Sequence, residues 1–235
     1  MTLTPALFLH IQKTAGTAVV QMASSFYNKF ISHFDYHGHK PEEFQHTGFV
    51  SGHFGYSYAQ PLMKFRYSFT FLRDPGERVL SFYYYCRRSD PDEYGIYKLG
   101  REKSLDEFLD LGQDHQQVKP YIWNHQTWQL ACGWYNPAGK NIMNYDQETM
   151  INEAKAHLAE FHHIGFVETL DEDMMTIWNG LGVKWSARIP TVNKGGPKPR
   201  VKDLPSSTRH RLRRITELDQ ILYDYARLRS HEGTR

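Results

Sequence analysis

A chain of 235 residues with 40% hydrophobic and 23% charged side chains is long enough for one α/β domain with a substantial core and too apolar to be disordered. Its formal net charge of +2 is unlike the basic surface of a nucleic-acid-binding protein, and no stretch approaches the roughly 20 apolar residues that cross a bilayer. Cys86 and Cys132 lack the spacing of a zinc site or a disulfide framework, which suits a reducing compartment.

The first predicted element is a buried parallel strand, Leu7 to Ile11, which breaks into the small-residue turn Thr14-Ala15-Gly16-Thr17. Val19, Met22, Ala23, Phe26 and Phe30 then recur at helical steps, predicting a helix from Ala18 to Phe30. Free N–H groups at its start, with Lys13 beside them, suit a phosphate or sulfate. The nucleotide-triphosphate loop G-x-x-x-x-G-K-[ST] is absent, because Lys13 precedes Gly16 and residues 7–15 contain no glycine.

His33, His37, His39, His46 and His53 follow within twenty-one residues but lack a nearby Cys or paired carboxylate, so no metal is expected. Gly48 to Tyr56 reads as a short strand ending in the glycine-flanked His53, a position where functional groups of α/β folds gather. A second strand, Arg66 to Arg73, is closed by Asp74-Pro75 and followed by a helix through Tyr84. Residues 89–100 read as a loop, and Ser104 with Glu107 caps a helix from Leu105 to Leu111. Further along come Tyr121 to Cys132, a helix from Met150 to Phe161, a strand from His162 to Glu168 and a helix from Met174 to Leu181. The basic, Gly- and Pro-broken stretch Thr191 to Arg200 predicts an exposed loop. One last helix starts near Ser206-Ser207 and buries Leu212, Ile215, Leu218, Leu222 and Tyr225.

Phe8-Leu9-His10-Ile11-Gln12-Lys13-Thr14-Ala15-Gly16-Thr17 resembles the 5'-phosphosulfate loop of sulfotransferases, especially the glycan O-sulfotransferases of the heparan sulfate 6-O and 2-O type. Arg73 and Ser81, with seven residues between them, resemble the family's 3'-phosphate motif. The resemblance implies a P-loop-like α/β fold, a single domain over residues 1–235 with a central parallel sheet flanked by helices. It also implies 3'-phosphoadenosine 5'-phosphosulfate (PAPS) as sulfuryl donor, adenosine 3',5'-bisphosphate as product, and no metal.

On that likeness Lys13, Thr14, Ala15, Gly16 and Thr17 hold the phosphosulfate, Arg73 and Ser81 read the 3'-phosphate, and His53 is the catalytic base, with Lys13 offsetting charge on the bridging oxygen. Asn193, Lys194 and Gly195 would contact the nucleotide from the late loop, with Lys198 and Arg200 reaching an anionic acceptor. Asn124 and Trp128, four residues apart, would face a sugar acceptor, although Trp128 equally suits core packing. The acceptor implied is a carbohydrate or another hydroxyl-bearing molecule. No stretch of the Golgi-anchor kind common in animal glycan sulfotransferases is read among these residues, so a cytoplasmic location, or one peripheral to a membrane, is expected. Two alternatives stay open: a kinase-like phosphotransferase acting on nucleotides or small molecules, and a non-catalytic nucleotide-binding protein of the same fold.

Overall fold

Successive side chains of a strand point to opposite faces, and in this chain both faces are apolar, so the sheet must be covered on both sides. The computed structural model describes residues 3–136, 139–183 and 198–232. Its elements run β1 (Ala6–Leu9), α1 (Gly16–Ser24), β2 (Phe30–Ile31), β3 (Phe49–Gly52), α2 (Tyr56–Met63), β4 (Tyr67–Leu72) and α3 (Pro75–Arg88). There follow α4 (Gly95–Glu102), α5 (Leu105–Leu111), α6 (Lys119–Ile122), α7 (His125–Ala131), α8 (Gln147–Leu158), β5 (His163–Phe166), α9 (Leu170–Gly180), α10 (Ser206–Ile215) and α11 (Glu217–Glu232).

Among the described residues five parallel strands form one sheet in the order β2-β3-β1-β4-β5. From β1 the chain goes to the β3 side, and from β4 it goes to the β5 side. The reversal leaves a crevice beyond the C-terminal ends of β1 and β4, where ligands of open α/β sheets bind. Residues 10–15, His53 and Arg73 all leave the sheet at this edge.

Ala6 and Phe8 face one side with Phe49, Phe69 and Phe71, where α1 and α9 contribute Val19, Met22, Ile177 and Trp178. Phe8 stacks on Phe69 at 5.0 Å. Leu7 and Leu9 face the other side, packing with α2, α3, α5, α7, α8, α10 and α11. The site edge is thus anchored in two separate cores.

Three expectations need correcting. Residues 89–100 are not all loop, since α4 occupies Gly95–Glu102. Gly100 allows the approach, because a Cβ there would lie 2.5 Å from that of Cys86. The final helix is two helices, divided at Thr216 (φ −124°, ψ 19°). And α1 stops at Ser24, short of Phe30, which belongs to β2. The capping box of α5 is present as expected: Ser104 and Glu107 bond reciprocally.

Candidate functional site

The turn after β1 is built for an anion. Lys13 (φ 70°) and Ala15 (φ 67°) are left-handed on either side of Thr14, and such alternation aims successive N–H groups into one concavity. The N–H groups of Ala15, Gly16 and Thr17 bond to no described residue, as expected where a helix begins, and Thr17 is exposed. Thr14 is buried and its hydroxyl donates to the Ile11 carbonyl at 2.7 Å. That hydroxyl therefore shapes the loop rather than donating to a ligand, which corrects one expected contact. Gly16 is required by close approach: a Cβ there would lie 1.7 Å from His10 Nε2.

His53 stands at the end of β3 with Nδ1 2.9 Å from the His10 carbonyl. A carbonyl only accepts, so Nδ1 carries the hydrogen and Nε2 keeps its lone pair. No described residue bonds to Nε2. Burial lowers His53 to about 4, partly opposed by the bond to His10 and reinforced by the electrostatic influence of His33, Lys13 and His37. The His10 ring lies 4.2 Å from the His53 ring and is pushed well below the usual histidine range, first by burial and then by His53, His33 and Lys13. Both imidazoles are neutral near pH 7.

Arg73 leaves β4 and its Nη1 donates to the Lys13 carbonyl at 3.2 Å, joining two motifs sixty residues apart in the chain. Lys13 Nζ sits 4.0 Å above the Tyr85 ring on α3. Ser81, Tyr85 and Arg88 are spaced four and three residues apart along that helix and so share a face, and the Ser81 hydroxyl bonds to no described residue. Lys13 is lowered to about 8 by burial, then by Arg88 and Arg73, with Lys198 adding to it. Arg73 is lowered as well, mainly by burial. Lys13, Arg73 and Arg88 form no ion pair among the described residues.

Lys198 belongs to this group. Its Nζ is buried without a hydrogen bond, 3.8 Å from Glu77 Oε2, and burial followed by Arg73 lowers its pKa. Glu77 also accepts from the Val201 N–H at 2.9 Å and lies 3.9 Å from Arg200 Nε. The chain is thereby pinned to the first turn of α3. Lys198 accordingly sits with Arg73 rather than reaching toward an acceptor. Asn193, Lys194 and Gly195 lie outside the described residues.

Asn124 and Trp128 do not form an acceptor surface. Asn124 is left-handed (φ 43°) and buried, and its Oδ1 accepts from the N–H groups of Leu218 and Asp219 at 2.9 and 3.2 Å. Its role is to cap α11. Trp128 is buried edge-on against Trp134 at 4.4 Å.

Two glutamines of α7, which the sequence pattern does not single out, hold the backbone of the site. Gln126 bonds both the N–H and the C=O of Arg73 at 3.0 Å. Gln129 Nε2 donates to the carbonyls of His10 at 3.1 Å and Phe54 at 2.9 Å. The available signal was a run, His125-Gln126-Thr127-Trp128-Gln129, too polar for a helix that is buried all round.

Residues 10–17 thus hold the sites together, since His53 bonds to His10 and Arg73 bonds to Lys13. The assembly offers three free N–H groups, three cations without an ion pair among the described residues (Lys13, Arg73 and Arg88), Lys198 paired with Glu77 beside them, and a neutral imidazole with one open nitrogen. Its chemistry suits a ligand with several negative charges and a neighbouring proton acceptor. No group of three or more His, Cys, Asp or Glu among the described residues is placed to hold a metal ion. Nor is any described helix long and apolar enough to cross a membrane. The family model described as "Sulfotransferase family" matches residues 5–226. No curated protein matches the chain.

Proposed function

Because this chain belongs to the sulfotransferase family, whose reaction is sulfuryl transfer, we propose that it moves a sulfuryl group from PAPS to a carbohydrate hydroxyl, with His53 as general base. The observation that carries the reading is the contact of Arg73 with the Lys13 carbonyl inside a crowd of cations in which Lys13, Arg73 and Arg88 have no ion pair among the described residues. One doubly phosphorylated nucleoside satisfies the N–H groups at one end and the guanidinium at the other.

Each residue has a task under this proposal. The N–H groups of Ala15, Gly16 and Thr17, with the Thr17 hydroxyl, hold the 5'-phosphosulfate at the start of α1. Arg73, Ser81, Arg88 and Lys198 surround the 3'-phosphate, where a planar guanidinium and a hydroxyl donate together. PAPS supplies the sulfuryl group and leaves as adenosine 3',5'-bisphosphate. Lys13 offsets negative charge on the departing oxygen, while His53 Nε2 accepts the proton of the attacking hydroxyl. The bond from Nδ1 to the His10 carbonyl fixes the tautomer that makes this possible, and Gln129 steadies the same carbonyl.

Thermal shift and calorimetry with adenosine 3',5'-bisphosphate, followed by incubation with radiolabelled PAPS and a panel of glycans, test the reading. Saturable stabilisation and labelled glycan are expected. A melting temperature indifferent to the nucleotide overturns it.

A further inference from the structure

Beyond the donor site, two segments flank the turn that carries His53 and present aromatic rings without Lys or Arg side chains. Phe34 lies 5.2 Å from the His53 ring and 5.0 Å from His37. Tyr135 lies 5.2 Å from His37, and the buried Tyr36 supports both His37 and Tyr135 from behind at 4.8 and 5.3 Å. Phe34 and Tyr135 are 46% and 53% exposed, so two large rings are held in solvent, Phe34 against His53 itself and Tyr135 one ring further out through His37.

The backbone is arranged to keep them there. The His53 N–H donates to the His33 carbonyl at 3.2 Å, and the Gly55 N–H to that of Trp134 at 3.4 Å, so both flanking segments are tied to the turn that carries His53. Gly133 makes the second approach possible: a Cβ on it would lie 2.4 Å from Gly55 Cα. His33 (φ 50°) and Tyr135 (φ 60°) are both left-handed, a conformation uncommon outside glycine and, for a residue as bulky as Tyr135, rare. Such strain gathers at functional sites.

Charge decides which acceptor fits. Residues 32–39 contain no Lys or Arg and one carboxylate, Asp35, and residues 132–136 contain no charged side chain. The cations stand at the donor end instead, on Lys13, Arg73, Arg88 and Lys198. A polyanionic glycan would meet aromatic faces and Asp35, whereas an uncharged sugar presents an apolar C–H face to a ring and its hydroxyls to the edge.

We propose that Phe34, His37 and Tyr135 form the acceptor platform and that it receives an uncharged sugar ring, leaving a ring hydroxyl at His53 Nε2. The proposal rests on His53 as the base of sulfuryl transfer and adds the acceptor's class. Its test is ligand-observed NMR on the full chain saturated with adenosine 3',5'-bisphosphate. The probes are lactose, cellobiose, a sulfated heparin disaccharide and a phenol of similar size.

The uncharged disaccharides should bind best, and Phe34→Ala and Tyr135→Ala should each weaken them about fivefold while nucleotide affinity stays within twofold. Asp35→Lys should improve binding of the sulfated disaccharide. Preference for the sulfated sugar or the phenol in the unaltered protein overturns the proposal, as does sugar binding indifferent to both alanine variants in chains that still bind nucleotide. Failure to bind adenosine 3',5'-bisphosphate at all would instead overturn the donor reading beneath it.

Discussion

The two ends of the site face opposite electrostatic problems. Around Lys13 and Arg73, positive groups crowd together, neither of the two in an ion pair among the described residues, and burial lowers the pKa of each. Around His53, burial and the same positive charge keep an imidazole neutral. A site whose cations are left unsatisfied stores its affinity for the anion that completes it, and a base held next to those cations stays unprotonated until it is needed. Residues 10–17 are common to both ends, so filling one should be felt at the other.

The largest expected effect comes from removing the neutral end alone. His53→Ala should lower sulfuryl transfer about 10²–10⁴-fold while adenosine 3',5'-bisphosphate affinity by calorimetry stays within twofold, and a parallel loss of affinity would erase the division between the ends. Removing charge from the other end should do the reverse. Arg73→Ala should weaken the nucleotide about 10- to 100-fold, the worth of charge-assisted hydrogen bonds to a phosphate, and an unchanged dissociation constant would remove Arg73 from the donor site.

Smaller effects come through pH. Lys13 loses its proton near pH 8 in the free protein, so nucleotide affinity should fall up to about tenfold per pH unit above that value. A flat profile from pH 7 to 10 would contradict Lys13 as an anion contact. His53 is lowered to about 4 from an ordinary 6.5, and His10 lies well below its ordinary value. The unfolded chain therefore binds more protons than the folded one below the ordinary histidine pKa. Stability from these residues is complete above pH 6.5 and declines as the pH falls toward 4. Denaturant melts across that window should show it, and His53→Gln should reduce the slope.

How much of this was legible in sequence follows from how local each feature is. Lys13 to Thr17 and His53 at its strand end could be read because short stretches carry them. The strand order places Arg73 beside the first loop, and the spacing from Arg73 to Ser81 located the helix face. Contacts across long separations could not be read. Gln126 meets Arg73 53 residues away, Gln129 meets His10 119 residues away, and Lys198 reaches Glu77 from the far side of the chain. Asn124 suits an acceptor contact on local pattern alone, because the partners of its Oδ1, Leu218 and Asp219, lie more than ninety residues on. The same two bonds cap the helix that starts after Thr216, so the burial of Asn124 and the division of the final helix are one long-range feature.

The claim that one bound molecule spans both ends is tested most directly by titrating adenosine 3',5'-bisphosphate while following the His53 imidazole and the Ala15, Gly16 and Thr17 amides by NMR. All should move along one saturation curve, with the His53 pKa rising from about 4 as phosphate charge offsets the nearby cations. Amides that saturate while His53 keeps its pKa would mean that the two ends do not share a ligand.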